Sequence, residues 1–297
     1  RVHESAAVWT IYHAIDSETA NPFQAYQATR YIDTAIPHIP VTAHGLKENG
    51  YATIATTNWL PYSWSINNVA FAEVMHTALS YFQAGRADAG YKLLKSSVLD
   101  GMYLGDSPGN FGQISFYDAA RGECYRDFGD PIGVASRVLI QGLFGILPDA
   151  LNQQIILRPG FPDDWDKASV STPDISYRFT RKEDTDTYHI TQRFQTPLHP
   201  VLQINARKEK IRSVKVNDVP ATWQSIESAH GYPLLSIQAE GTSSTTITIE
   251  WEGASLHTLA VQELVIASNG KLALQIPSGA SISQVYDLSL IHISEPT

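Results

Sequence analysis

Residues 130–173 read DPIGVASRVLIQGLFGILPDALNQQIILRPGFPDDWDKASVSTP, and within them the spacing of the apolar residues changes. Asp130 followed by Pro131 is typical of a helix start, and apolar residues then recur every three or four positions up to Leu143. Gly145 ends that pattern, because glycine commonly follows the last turn of a helix. The aliphatic run 155–157 then has the composition of a strand. The stretch predicts a helical region that passes directly into a β-region.

Residues 1–151 are predicted to form helices joined by loops that differ sharply in length, such as the aromatic-rich loop at 52–65. About six helices fit this part of the chain. The helix starts are marked by residues that commonly cap helices, at Asn21, Asp88 and Asp130. The clearest helix carries an apolar stripe at helical spacing, formed by Val69, Ala72, Met75, Leu79 and Phe82.

Several of these helices are apolar on more than one face, and residues 139–146 have almost no polar side. Such helices must be buried between neighbours, so Leu139 is expected to lie in a core. Stacked helical hairpins, with an inner and an outer ring, meet that requirement better than a simple bundle.

Residues 152–253 have the period of two that is typical of strands, most clearly in TTITIEW at 245–251. Turn residues separate these strands at short intervals, which predicts an antiparallel β-sandwich. Residues 254–287 are interpreted as the start of a further β segment. Residues 288–297, LSLIHISEPT, resemble a read-through of a sequencing adapter. The natural protein is therefore expected to be longer at both ends, with any export signal upstream of Arg1.

The composition excludes several classes of function. The 297 residues carry a formal net charge of -9, which argues against a nucleic-acid partner because phosphate binding needs clustered Lys and Arg. No apolar run approaches the roughly 18 residues of a membrane span. A single cysteine rules out an internal disulfide framework and a Cys-rich zinc site, and no metal or cofactor motif is present. No cofactor is expected.

Residues 110–129 connect two predicted helices and yet are rich in chemically active side chains. A connection of this kind needs only turn residues. This one contains Tyr117, Arg121, Glu123, Tyr125, Arg126 and Asp127. We interpret it as the floor of a site.

Three longer stretches resemble known families. Residues 130–173, with Phe161-Pro162, Trp165 and Ala168, resemble the last ring helix and its exit into the sandwich in rhamnosidase-like and fucosidase-like enzymes. Residues 58–86 and 112–131 resemble the bacterial family called domain of unknown function 4450, common in gut Bacteroidetes. The resemblance covers about residues 1–251. It implies the C-terminal part of an (α/α)6 helical-hairpin barrel followed by a β-sandwich, a six-hairpin glycosidase, and an exported protein in the periplasm or at the cell surface.

The resemblance also implies that Glu123 is the general base of an inverting hydrolysis, with Asp127 as its nearest competitor. The family pattern there is aromatic-Glu-Arg, whereas this chain has Gly122-Glu123-Cys124. Arg121 and Arg126 would keep Glu123 ionised, although an ion pair on a loop would explain the same residues. Asp130 is assigned mainly to capping.

The general acid is less clearly marked. Asp16, close to His13, is the candidate within the chain, although a capping role explains the same residues and the acid could lie upstream. Glu73 is interpreted as a structural acid or an exposed helix residue. Sugars pack on aromatic rings and bond to polar side chains, so the residues expected to bind an oligo- or polysaccharide are Trp59, Tyr62, Trp64, Tyr117, Arg121, Arg126 and His13. Tyr117 and Arg121 would share one helix face, being one turn apart.

Two other functions stay open at this point. A polysaccharide lyase would use Tyr117 to remove a proton beside a uronate carboxylate that Arg121 and Arg126 neutralise. A non-catalytic glycan-binding protein would need the aromatic and polar residues but no carboxylate chemistry.

Overall fold

The computed structural model describes residues 8–56, 68–104, 116–118, 123–125, 129–226 and 232–256. Within them the helices are α1 Val8–Asp16, α2 Pro22–Ala35, α3 Phe71–Gln83, α4 Ala87–Val98 and α5 Asp130–Arg137. π-Helical turns follow α4 at Leu99–Leu104 and α5 at Val138–Leu143. About six helices were expected in this region, and the described residues contain five.

Two small sheets accompany the helices. The strands β1 His38–Pro40 and β2 Ala52–Ile54 form an antiparallel pair. The second sheet consists of β3 Asn68–Ala70, β4 Phe116–Asp118 and β5 Glu123–Tyr125, in that order and antiparallel. The segment expected to be a connecting loop therefore contributes two strands.

Helices α1, α3 and α5 run in the same direction. Successive residues of α1 meet successive residues of α3, from start to end: Trp9 with Glu73, Tyr12 with His76, and Asp16 with Gln83. At the end of α5, Arg137 binds Asp16 at the end of α1. Helix α4 returns antiparallel to α3, because Gly90 near its start packs on Phe82 near the end of α3. Helix α4 thus returns between the parallel helices α3 and α5.

Helix α3 lies at the centre of the helical part. The predicted apolar stripe falls on it, and its residues are buried on most sides: Phe71, Val74, Met75, Thr77, Ala78, Leu79, Ser80, Tyr81 and Phe82. The hydroxyl groups of Thr77 and Ser80 donate to carbonyl oxygens one turn earlier, so their burial leaves no hydroxyl unpaired.

The remaining strands form two sheets. They are β6 Ile146–Asp149, β7 Gln154–Leu157, β8 Lys167–Ser171, β9 Ile175–Lys182, β10 Thr185–Gln192, β11 His199–Asn205, β12 Lys208–Val216, β13 Val219–Pro220, β14 Gln224–Ile226, β15 Leu234–Gln238 and β16 Ser244–Ser255. One sheet has the order β13-β12-β16-β10-β9-β8, and the other β14-β15-β11-β7-β6. Pairing is antiparallel except between β7 and β11, which are parallel.

The two sheets share one hydrophobic cluster, which makes them a sandwich. Tyr177, Ile190 and Trp251 from the first sheet are buried together with Leu157 and Leu202 from the second. The alternation that the sequence predicts over 245–251 is seen in β16, whose residues are buried at every second position. Strand β6 precedes residue 151 and already belongs to the second sheet. Residues 257–297 lie outside the described part of the chain; they contain the predicted segment 288–297 and all but the first three residues of the predicted segment 254–287.

An aromatic seam joins the helices to the sandwich within one compact unit, Arg1–Leu256. The ring of Phe161 lies 5.4 Å from that of Phe144, 6.1 Å from Trp165 and 5.2 Å from Phe179. Phe144 and Phe161 pack against the hydrophobic clusters of both parts. The Phe161-Pro162 and Trp165 motif therefore has a packing role.

Three sequence predictions about helix ends and burial can be checked. Asn21 caps α2 as expected, in a reciprocal pair of bonds with Gln24 of 2.9 Å each. Asp88 and Asp130 are not caps, since each lies inside the first turn of its helix and the cap positions are Arg86 and Gly129.

The expected burial of Leu139 is wrong. Its side chain is 43% exposed, because Val138 and Leu143 are the residues that this segment turns toward the core, where they are 0% and 5% exposed. The described residues contain no helix with the length and hydropathy of a membrane span.

The difference between Leu139 and Leu143 is measurable. We expect Leu143→Ala to lower the free energy of unfolding by about 2–5 kcal/mol through loss of buried contacts and a residual cavity. The matched variant Leu139→Ala should cost less than about 1 kcal/mol, as usual for a surface position. Urea unfolding of both variants tests this, and equal losses would contradict the orientation of this segment.

Candidate functional site

The starts of α3 and α5 lie near the three-stranded sheet. Strand β3 runs directly into α3 at Phe71. Strand β5 ends at Tyr125, shortly before α5 begins at Asp130. Because β4 pairs with both outer strands, the sheet ties the two helix starts together. The first turn of each helix carries an acid, Glu73 in α3 and Asp130 in α5.

Strands β4 and β5 contain two of the predicted site residues. In the register of β4 and β5, Glu123 stands opposite Asp118 and Tyr117 stands opposite Cys124. Tyr117 is thus in a strand, so the expectation that it shares a helix face with Arg121 is wrong. The predicted site residues Trp59, Tyr62, Trp64, Arg121, Arg126 and Asp127 lie outside the described residues.

Glu73 is the chemically unusual residue at this end of the helices. Its carboxyl group accepts hydrogen bonds from the side chains of Trp9 and Thr56. Its Oε2 atom is buried and has no hydrogen-bond partner in the described part of the chain. Burial raises the pKa of the Glu73 carboxyl, the two hydrogen bonds lower it in part, and the charge of Asp130 raises it further. A helix start favours a carboxylate, but here burial outweighs that effect.

Two acids with unlike surroundings therefore stand at neighbouring helix starts. Asp130 is exposed to solvent, whereas Glu73 is enclosed and burial raises the pKa of its carboxyl. A carboxyl whose surroundings raise its pKa is a candidate for the general acid in catalysis. The sequence suggested a buried structural acid or an exposed helix residue for Glu73. A signal was present, because Glu73 lies within the apolar stripe of α3 and faces away from the stripe only partly.

Asp16 has the opposite environment, at the far end of the same helices. Arg137 donates to both of its oxygens, at 2.8 and 2.6 Å, and Gln83 donates at 3.0 Å. Burial favours the neutral form, but the hydrogen bonds from Arg137 and Gln83 prevail and lower the pKa of the Asp16 carboxyl. These surroundings suit a structural ion pair better than a proton donor. The predicted acid role of Asp16 has no support from its contacts.

Aromatic and imidazole rings lie between the Glu73 end and the Asp16 end of these helices. The ring of Tyr12 lies 4.6 Å from that of His13 and 4.8 Å from that of His76. Burial lowers the pKa of His76, and the charge of Arg137 lowers it further, so His76 is neutral at neutral pH. His13 is exposed. The described residues contain no group of three or more side chains arranged to hold a metal ion.

Comparisons with known proteins find similar solved structures and no matching family. No protein-family model and no curated protein matches the chain, so its resemblance to domain of unknown function 4450 stays a prediction. Among solved structures it is similar to the alpha-L-rhamnosidase from Dictyoglumus thermophilum, with 14% identity and a TM-score of 0.42 over 62% of this chain and 21% of that one. It is also similar to a structure described as a glycoside hydrolase, with 11% identity and a TM-score of 0.30 over 61% of this chain and 32% of that one. The chain spans less than a third of the first structure and about a third of the second.

The Asp16–Arg137 pair predicts a pH-dependent stability. A carboxyl whose pKa is lowered by folding contributes stability above its unfolded pKa of about 3.9, and loses it as the pH falls through the folded value. We expect Asp16→Asn to cost about 1–2 kcal/mol at pH 7, and much less at pH 2 to 3.

Unfolding in urea at both pH values measures this loss, with the exposed Asp174→Asn as the control that should change little. An equal loss at both pH values would show that the carboxylate charge of Asp16 does not stabilise the fold.

Proposed function

We propose that the protein is a glycoside hydrolase that cleaves O-glycosidic bonds in oligo- or polysaccharides of plant or host origin by inversion. The observation that carries the proposal is the buried carboxyl of Glu73, placed at the start of α3 beside the sheet that contains Glu123. The sequence resemblance to six-hairpin glycosidases agrees with this proposal. The resemblance also implies an exported protein, which fits a substrate that lies outside the cell.

The helix directions support the (α/α)6 part of the proposal. In a ring of helical hairpins, the inner helices are parallel to one another and the outer helices return between them. Helices α1, α3 and α5 are parallel to one another, as inner helices are, and α4 returns after α3. We assign α1, α3 and α5 to the inner ring, whose remaining hairpins would precede this part of the chain.

In the proposed reaction Glu73 is the general acid. Its carboxyl donates a proton to the glycosidic oxygen, and the bond from that oxygen to the anomeric carbon breaks. Glu123 as the general base takes a proton from a water molecule, whose oxygen bonds to the anomeric carbon from the opposite face. Asp127 is the second candidate for the base. The charge of Asp130 favours this role because it adds to the rise in the pKa of the Glu73 carboxyl that burial causes.

The substrate-binding residues follow from the sequence alone. Trp59, Tyr62 and Trp64 would provide apolar surfaces for sugar rings. Arg121, Arg126 and Tyr117 would bond to hydroxyl groups near the reacting carbon.

Glycan hydrolysis by the full-length gene product tests the proposal. Sugar release from a panel of plant and host glycans should fall roughly a hundredfold or more in Glu73→Gln and in Glu123→Gln, because general acid and base each contribute about 10²–10⁴-fold. The exposed Glu252→Gln should release sugar at the unmodified rate.

Leaving-group dependence separates a proton donor from a structural residue. An aryl glycoside with a dinitrophenolate leaving group needs no protonation, so Glu73→Gln should recover most of its rate on that substrate, whereas Glu123→Gln should not. If Glu73→Gln lowers the hydrolysis rate equally on glycans and on the aryl glycoside, Glu73 is not the general acid. Unsaturated uronate products would instead indicate a lyase, and glycan binding without cleavage would indicate a non-catalytic protein.

A further inference from the structure

A groove lies between the helices and the sandwich, at the opposite end of α3 from Glu73. Two adjoining cavities form it, of about 200 and 500 Å³. Both are lined by Pro22, Phe82, Gln83 and Arg158. The smaller cavity continues over the sandwich, and the larger one continues over the ends of α1 and α5. The groove is thus separate from the proposed catalytic carboxyl groups.

The groove presents unused donors and acceptors. Gln83 gives its amide N–H to Asp16, while its Oε1 is buried without a partner among the described residues. Arg158 donates from Nε and Nη2 to Oε1 of Gln203, at 2.9 and 2.6 Å, and Nη1 has no partner in the described part of the chain. An unpaired buried acceptor is unfavourable, so a small rotation of the Gln83 side chain that turns Oε1 toward a donor in the groove would be favourable.

The charges in the groove balance. Asp16 and Arg137 neutralise each other in a two-bond ion pair, and the charge of Glu18 acts on Arg158. A phosphate or a polyanion would therefore gain no net attraction. A neutral ligand with many hydroxyl groups can both donate to Gln83 and accept from Arg158.

The smaller cavity also has an apolar lining. Pro159, Tyr232 and Leu234 line it together with the polar groups. Flat apolar surface next to hydrogen-bonding groups is the combination that sugar rings bind.

We propose that this groove is a second saccharide-binding site, which holds a neutral stretch of glycan away from the catalytic carboxyl groups. The choice of a saccharide rests on the proposed function. The site itself rests on the unpaired Gln83 and Arg158 atoms and on the balanced charge. Tyr232 provides the packing surface and Arg158 the hydrogen bonds.

Calorimetric titration of the 297-residue chain tests the site. The probes are cellohexaose, xylohexaose and mannohexaose, with hexagalacturonate as the charged comparison. At least one neutral probe should bind, and Arg158→Gln and Tyr232→Ala should each weaken it roughly tenfold or more. Arg178→Gln, a matched substitution on an exposed strand position, should leave the affinity unchanged.

Glu73→Gln separates this site from the catalytic one. It should keep the groove affinity even where it abolishes hydrolysis, so the two proposals can fail independently. Absence of binding by every neutral probe would overturn the second site. So would unchanged affinity in both groove variants, or tighter binding of hexagalacturonate than of the neutral probes.

Discussion

The packing of the Phe82 ring against three glycines is the constraint that holds the two parts of the molecule together. Phe82 ends the buried face of α3. A Cβ atom at Gly90, Gly142 or Gly160 would approach its ring to 3.0, 2.6 or 2.3 Å. These glycines belong to α4, to the π-helical turn after α5, and to the segment after β7. One aromatic side chain therefore fixes the helical hairpin, the last helix and the sandwich against each other, since only glycine permits so close an approach.

This arrangement gives α3 two chemically different ends. At its start, Glu73 accepts hydrogen bonds from Trp9 and Thr56, and burial raises the pKa of its carboxyl. At its other end, Gln83 lies beside the Asp16–Arg137 ion pair and lines the groove above Phe82. Because α1, α3 and α5 are parallel, each end gathers side chains from all three helices. We assign the first end to bond cleavage because the pKa of Glu73 is raised there. We assign the second end to glycan binding because Gln83 and Arg158 have unused hydrogen-bonding atoms there.

Local features of the fold could be predicted from the sequence. The capping pair of Asn21 and Gln24, the stripe of α3 and the alternation in β16 depend on neighbours a few residues away, and the sequence contains those neighbours. Leu139 was misjudged because an apolar run does not say which of its residues turn inward. Tyr117 was misjudged because its strand requires pairing with residues far along the chain. The candidate site was predicted in part. The sheet contains Glu123 and Tyr117, whereas the role of Glu73 depends on Trp9 and Thr56, which come from distant segments.

The most direct test of this account is the titration of the Glu73 carboxyl, followed by ¹³C NMR of glutamate-labelled protein with Glu73→Gln used to assign its signal. The account predicts that the pKa of Glu73 lies well above the ordinary value of about 4.3, and that it falls toward that value in Asp130→Asn, where the neighbouring charge is removed. A Glu73 pKa at or below the ordinary value would contradict the account, because the carboxyl would then have no proton to donate at neutral pH.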